Sequence, residues 1–390
     1  MPRRRPEVSK YFTFCRPEFQ AIETHRSCKV LVMDASQLSI YSEYGPSGAS
    51  VRVRILSWLD HLEYSRDKHY KHFDYLGKSN ANPSTILRNL QGVVSAEMEL
   101  RTRGAVNSGE VAFISRQASP FSNGRLEQTL LQAAHLGIYD FDDAIYAFRP
   151  WAAHKKLWDS RKTWSRSVEA ADITIAGNDL LAEDASQHSK SVVVIPSCIQ
   201  TKDYIPKENY DTQHHQRVIL WLGSPSTAPN LALLTAPLEK INRSFPTVVL
   251  AVGVPPAMGR KLGPHILPTP WYPGIDRHLA QKADVAVMPL VDNFFNARKC
   301  GYKLLQYSAM AIPSVSSPVG AAQKIAESLG ALTATTALEW ETTIFELLAP
   351  SSTNDRQRIG QRQKRLVQRN FSYQAWECEF SRTTSMTHPQ

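Results

Sequence analysis

A chain of 390 residues is too long for one ordinary core and points to two domains of nearly equal size. Its 42% apolar and 21% charged content fit a soluble globular protein. No apolar stretch approaches the roughly 18 residues that span a bilayer, which excludes a membrane-spanning helix. The net charge of +9 favours acidic ligands, nucleic acid or an anionic surface without choosing among them. Five scattered cysteines, Cys15, Cys28, Cys198, Cys300 and Cys378, suggest neither a disulfide framework nor a Cys-x-x-Cys metal site. Together with a basic Arg3-Arg4-Arg5 start that no apolar signal core follows, they predict a cytoplasmic protein.

From Lys29 onward, short β-branched runs alternate with longer amphipathic stretches, the pattern of parallel strands joined by helices. Strands are predicted at 30–34, 73–76, 111–115, 137–141, 172–176 and 192–195, then at 218–222, 247–252, 265–267, 285–289, 314–316 and 331–333. The polar segment 201–216, with Pro206 and no regular period, reads as an interdomain linker. The expected fold is therefore α/β, with two doubly wound Rossmann-like sheets. Two such domains facing each other turn the carboxyl ends of both sheets, where ligands of α/β proteins bind, toward one cleft.

In chain order, Gly45-Pro46-Ser47-Gly48-Ala49-Ser50 follows a strand and opens a helix carrying Arg52 and Arg54; such a loop suits close approach to a sugar or phosphate, or is a plain turn. Tyr139-Asp140-Phe141-Asp142-Asp143 puts three acids at a strand end, where repulsion calls for a partner or a task. Asp140 and Asp142 also spell a metal-holding Asp-x-Asp, a reading set aside because cations in the other half can do the same neutralising work. Strand 218–222 runs into Gly223-Ser224-Pro225-Ser226-Thr227, whose N–H and O–H groups could meet phosphate oxygens or serve as an ordinary helix cap. Trp271 and Tyr272 offer flat surface for a nucleobase or for core packing. Finally, Arg298, Lys299 and Lys303 fall in the predicted first turns of a helix, the wrong end for positive charge unless an anion sits there. Gly301 between the lysines leaves room for a diphosphate, and a solvated basic turn is the plainer alternative. The basic stretch from Arg356 to Arg369 reads as solvated surface.

These segments resemble the retaining GT-B glycosyltransferases of family 4 (glycosyl transferases group 1). The likeness rests on Lys-Cys-Gly-Tyr-Lys-Leu-Leu-Gln-Tyr at 299–307 followed by Ser-Pro-Val-Gly at 317–320, with support from 139–145, 221–227 and Met-Pro-Leu at 288–290. The resemblance implies an acceptor-binding domain at 1–205, a nucleotide-sugar-binding domain at 206–370, and a terminal helix at 371–390 returning to the first domain. It implies donor contacts at Gly223, Ser224, Ser226, Thr227, Trp271, Arg298, Gly301, Tyr302 and Gln306, and acceptor contacts at Gly45, Ser47, Gly48, Arg52 and Asp143. Lys299 and Lys303 would stabilise the leaving diphosphate and Asp142 would stand at the reacting centre. Two glutamates usual in the family are replaced by Arg298 and Gln306, and an arginine cannot accept from a sugar hydroxyl.

The expected activity is sugar transfer from a nucleotide-diphosphate sugar to a hydroxyl or amine of a small natural product or glycan precursor, with retention of configuration. No metal and no cofactor beyond the donor are expected. Nucleic acid is not an expected partner, membrane contact is at most peripheral, and a homodimer stays open. The rivals are an epimerase or phosphorylase on the same fold, or a non-catalytic basic binder of nucleic acid or membrane.

Overall fold

A computed structural model describes residues 38–46, 48–75, 88–104, 110–147, 159–212, 216–272, 274–275 and 279–386. The strand predicted at 30–34 and the candidate acceptor residue Ser47 lie outside the described residues.

Apolar runs without alternation, such as Val111–Ser115 and Val285–Met288, are buried at every position, as strands covered on both faces must be. The first sheet contains β1 (Leu38–Ser42), β2 (Tyr70–Asp74), β3 (Val111–Ser115), β4 (Leu136–Phe141), β5 (Ile173–Ala176) and β6 (Val192–Val194). Its order is β2-β1-β3-β4-β5-β6 and every pairing is parallel. The second sheet contains β7 (Arg217–Leu222), β8 (Thr247–Val252), β9 (Ile266–Thr269), β10 (Val285–Met288), β11 (Ser314–Ser316) and β12 (Leu332–Thr333). It too is parallel throughout, in the order β12-β11-β10-β7-β8-β9. The expected pair of doubly wound sheets is present, each sandwiched between helices and apolar clusters.

Three expectations change. Leu38–Ser42, unassigned from its sequence, is a central strand; Ser39 donates to Glu110 at 2.6 Å and Ser42 to the carbonyl of Tyr44 at 2.7 Å, so its hydroxyls are satisfied despite burial. The predicted linker packs closely over its described residues: the hydroxyl of buried Tyr210 donates to the carbonyl of Ala311 at 2.8 Å, and the N–H of Lys207 donates to that of Met310 at 2.8 Å. Arg356, read as solvated, is fully buried and donates to the carbonyls of Tyr210, Leu347 and Ala349, which together replace its lost water.

The helix Thr353–Phe371 packs on the second domain, after which the chain crosses back in the helix Tyr373–Thr384. Ser372 caps that helix by accepting from Ala375 N–H, and Tyr373 and Phe380 join the first domain's core. Phe380 stacks on Trp58 with ring centroids 4.1 Å apart, and the Tyr373 hydroxyl donates to the carbonyl of Val53 at 3.0 Å.

Candidate active site at the facing sheet edges

In the second sheet the chain leaves β7 toward β8 and leaves β10 in the opposite direction, toward β11. The carboxyl ends of these neighbours therefore flank the crevice that such a reversal opens. The first sheet reverses in the same way between β1 and β3. The sequence candidates fall on the loops at these two places.

After β7, Gly223 leads into a turn in which Ser224 N–H donates to the Thr227 hydroxyl at 3.1 Å and the hydroxyls of Ser224 and Ser226 lie 2.9 Å apart. A 3-10 helix, Ala228–Leu234, follows. The hydroxyls of half-buried Ser224 and Thr227 and exposed Ser226 thus form a small polar ledge at the mouth of the crevice.

After β10 the helix predicted to open near Arg298 begins later, with a separate short helix before it. Phe294–Ala297 ends at Arg298, and a separate helix, Tyr302–Ala309, begins only after Gly301. Gly301 has φ +55°, and a Cβ there would sit 2.9 Å from Ile325, so this turn selects glycine on two counts. Lys299 therefore precedes the helix and does not share a face with Lys303, which alone lies in its first turn. The N-terminus of this helix has no side-chain cap. Its N–H groups and Lys303 together make a place where an anion is favoured. Lys303 Nζ donates to Gln306 at 3.1 Å, and the buried Gln306 donates onward to the Tyr204 hydroxyl at 3.2 Å. Burial pushes the neighbouring Tyr302 phenol up, and the nearby Tyr204 adds to the shift.

Across the gap, the first domain presents a tightly bound polar set. Asp140 takes three hydrogen bonds from buried Arg54, at 2.6, 3.0 and 3.2 Å. Burial pushes the Asp140 carboxyl up to about 6, with Arg54 opposing the rise. Asp142 instead accepts from the Ser50 hydroxyl at 2.8 and 3.1 Å, and Ser50 in turn accepts from Arg116 at 3.1 Å. Arg116 holds a left-handed φ of 67° directly after β3, a conformation uncommon for a side-chain-bearing residue. Gly48 closes the turn before the helix that starts at Ala49, its N–H donating to the carbonyl of Gly45 at 2.8 Å.

The two edges touch. Lys299 Nζ lies 3.5 Å from Asp143, whose other oxygen is 4.0 Å from Arg116, and the Cys300 thiol donates to the carbonyl of Asp142 at 3.1 Å. Arg52 sits 5.8 Å from the ring centroid of Trp271, which is 41% exposed and so open to a flat ligand. Arg298, expected among the donor contacts, has its guanidinium bound to Asp184 of the first domain. Arg116, Asp184 and Tyr204 were missed from sequence, and Ser50 was noted only as the end of the 45–50 loop. Arg116 carried a signal, a cation at the carboxyl end of a buried strand; the other three are ordinary polar residues until the fold brings them in.

Neither a protein-family model nor a curated protein matches the chain by sequence. Solved structures do match. The fold is the two-domain GT-B architecture of glycosyltransferases, as three of them show. A sucrose-phosphate synthase from Thermosynechococcus elongatus superposes with a TM-score of 0.63 at 16% identity, covering 88% of this chain and 97% of that one. Anabaena HepE in complex with UDP and glucose gives 0.63 at 11% identity, covering 90% and 99%. WaaG, a glycosyltransferase involved in lipopolysaccharide biosynthesis, gives 0.58 at 14% identity, covering 90% and 100%. No helix among the described residues is long and apolar enough to cross a membrane.

Proposed function

We propose that the chain is a family 4 glycosyltransferase that moves a sugar from a nucleotide-diphosphate sugar to an acceptor hydroxyl or amine, with retention of configuration and without a metal. The observation that carries this reading is the meeting of unlike edges: a cationic loop at the reversal point of one sheet reaches Asp143 on the carboxylate-bearing edge of the other at 3.5 Å. HepE, also solved in complex with UDP-glucose, shares this architecture and lends a nucleotide sugar as the substrate class.

On this reading the diphosphate lies against the Ser224 to Thr227 turn, Lys303 and the N–H groups that open the helix Tyr302–Ala309. These groups stabilise the charge that grows as the sugar–phosphate bond breaks, which is where an enzyme gains most. Trp271 faces the base. The acceptor enters from the side of Gly45, Gly48 and Arg52, and its proton passes to the departing diphosphate, so no side-chain nucleophile is needed. Asp142, fixed by Ser50 and Arg116, orients the acceptor or offsets positive charge on the sugar.

A thermal-shift screen over UDP-, GDP-, ADP- and TDP-sugars tests the reading. A ligand at about a hundred times its Kd adds about 2.7 kcal/mol of stability, an easily visible rise in Tm. Transfer from the donor so identified should proceed undiminished in excess EDTA. A flat screen sinks the proposal; loss of transfer in chelator, restored by manganese, sinks its metal-independent part.

A further inference from the structure

The loop that carries Lys299 and leads to Lys303 does not stand free on its own domain. Arg298 Nη2 donates to Asp184 Oδ1 at 2.9 Å, and Arg298 Nε donates to the other oxygen of the same carboxylate. This is the fork-on-fork arrangement that only arginine provides, stronger and more directional than a single-point ion pair. The Tyr146 hydroxyl donates to Asp184 as well, so the carboxylate is held from its own domain while it receives the guanidinium. Phe294 covers Arg298, its ring centroid 3.5 Å from the guanidinium carbon. The pair is mostly shielded, with side chains 15% and 20% exposed, which lifts it above an ordinary surface ion pair.

The backbone is gripped at the same place. Asn178, whose carbonyl oxygen caps the helix Asp179–Ser186, donates from Nδ2 to the carbonyl of Arg298 at 2.9 Å and lies 3.2 Å from the Cys300 sulfur. Gly177 leaves just enough room: a Cβ there would fall 2.4 Å from that sulfur. One short stretch of the second domain is thereby seated on the loop and helix that follow β5 of the first.

We infer that Arg298 is a positioning residue, clasped by Asp184 so that the loop bearing Lys299 and Gly301 is set against the Asp142 edge and the two halves of the site come into register. The inference rests on the proposed sugar transfer only for its catalytic consequence; the clasp itself is a statement about the seam. It also accounts for an arginine where the resemblance leads one to expect a glutamate: the guanidinium is already committed to Asp184.

Cys300 reports on the seam independently of any activity. Its thiol is buried between the domains, and burial holds it in the unreactive protonated form. Alkylation of the full-length protein by N-ethylmaleimide, mapped by mass spectrometry, should find Cys300 protected in the wild type. Arg298→Glu sets two carboxylates face to face and should speed its labelling about tenfold, as should Asp184→Arg, which opposes two guanidinium groups. The double variant Arg298→Glu, Asp184→Arg should return labelling to near the wild-type rate at an unchanged melting temperature. Rescue by the swap is the result a general loss of packing does not produce. Asp184→Asn, close in shape, serves as a milder opening variant in case a charge reversal fails to fold. The inference is overturned if Asp184→Asn and the single reversals leave Cys300 as protected as before, or if the swap labels as fast as either single variant. Nucleotide binding by the wild type, read by thermal shift, is a separate result, so failure of the transferase reading and failure of the clasp are told apart.

Discussion

Along the edge of the first sheet the polar groups are bound to one another: Arg54 to Asp140, and Arg116 through Ser50 to Asp142. Along the second sheet's edge, hydroxyls bond to hydroxyls within one turn, and Lys303 rests on a neutral amide. The first edge sets its carboxylates against guanidinium groups and a hydroxyl, whereas the second places Lys303 in the first turn of a helix, where the backbone N–H groups already favour negative charge. On the proposed transfer, the preorganised carboxylates would serve the acceptor and the helix start the phosphate-bearing donor.

The strongest test of that contrast is the buried pair. Arg54→Met removes the cation that holds the Asp140 carboxyl down, leaving it buried with neither its charge nor its hydrogen bonds matched, and should lower unfolding stability by about 3–5 kcal/mol, measured by urea denaturation. Adding Asp140→Leu should recover much of the loss, because burying neither charge is nearly neutral. If Arg54→Met alone is harmless, the first edge is not the rigid half.

Next come the two residues that face the gap. Lys303→Ala should lower turnover about 10²-fold and weaken nucleotide-dependent thermal stabilisation while the unliganded melting point holds. Unchanged stabilisation by nucleotide would move the anion site elsewhere. Asp142→Asn retains the Ser50 hydrogen bond and should melt close to wild type and bind nucleotide, yet transfer sugar about 10²-fold more slowly. A collapsed melting point in that variant would make Asp142 part of the scaffold, and Asp143 would become the better candidate for the reacting centre.

The mildest effect is a pH dependence. His72, buried and 2.8 Å from the Ser42 hydroxyl, is held neutral: burial first, then the charge of Arg66, lower its pKa from 6.5 to about 4. The unfolded chain therefore binds the proton more readily, and stability present above pH 6.5 is lost as the pH falls toward 4. Melting curves across that range should fall less steeply for His72→Gln than for wild type. Parallel curves would remove His72 from the rigid half's accounts.

What could be read from the residues followed the range of the interactions. Strands such as Val111–Ser115 and Thr247–Val252 were legible because a parallel strand buried on both faces writes its environment into consecutive residues. Leu38–Ser42 was not, since its two serines look polar until Glu110 and the carbonyl of Tyr44 are in place. Lys303 was legible as a cation where a helix disfavours one, a local argument. The placing of Lys299 in the same helix failed because Gly301, read as a bare approach for phosphate, instead breaks the helix with its left-handed backbone. The clasp of Arg298 and the tether of Asp142 depend on Asp184 and Ser50, 114 and 92 residues away, and no periodicity records such pairings.

The return of the last helix also sets an order of assembly. Trp58, near the start of the described chain, has its ring face covered by Phe380, so the first domain finishes its core only once the helix Tyr373–Thr384 has been made. During synthesis the amino-terminal half would wait with an aromatic surface uncovered while the second domain is made, a window in which a holding chaperone has something to grip. A chain cut just before Tyr373 would carry both sheets and every candidate site residue and still lack the cover over Trp58, so its defect would surface as poor yield before it surfaced as poor chemistry.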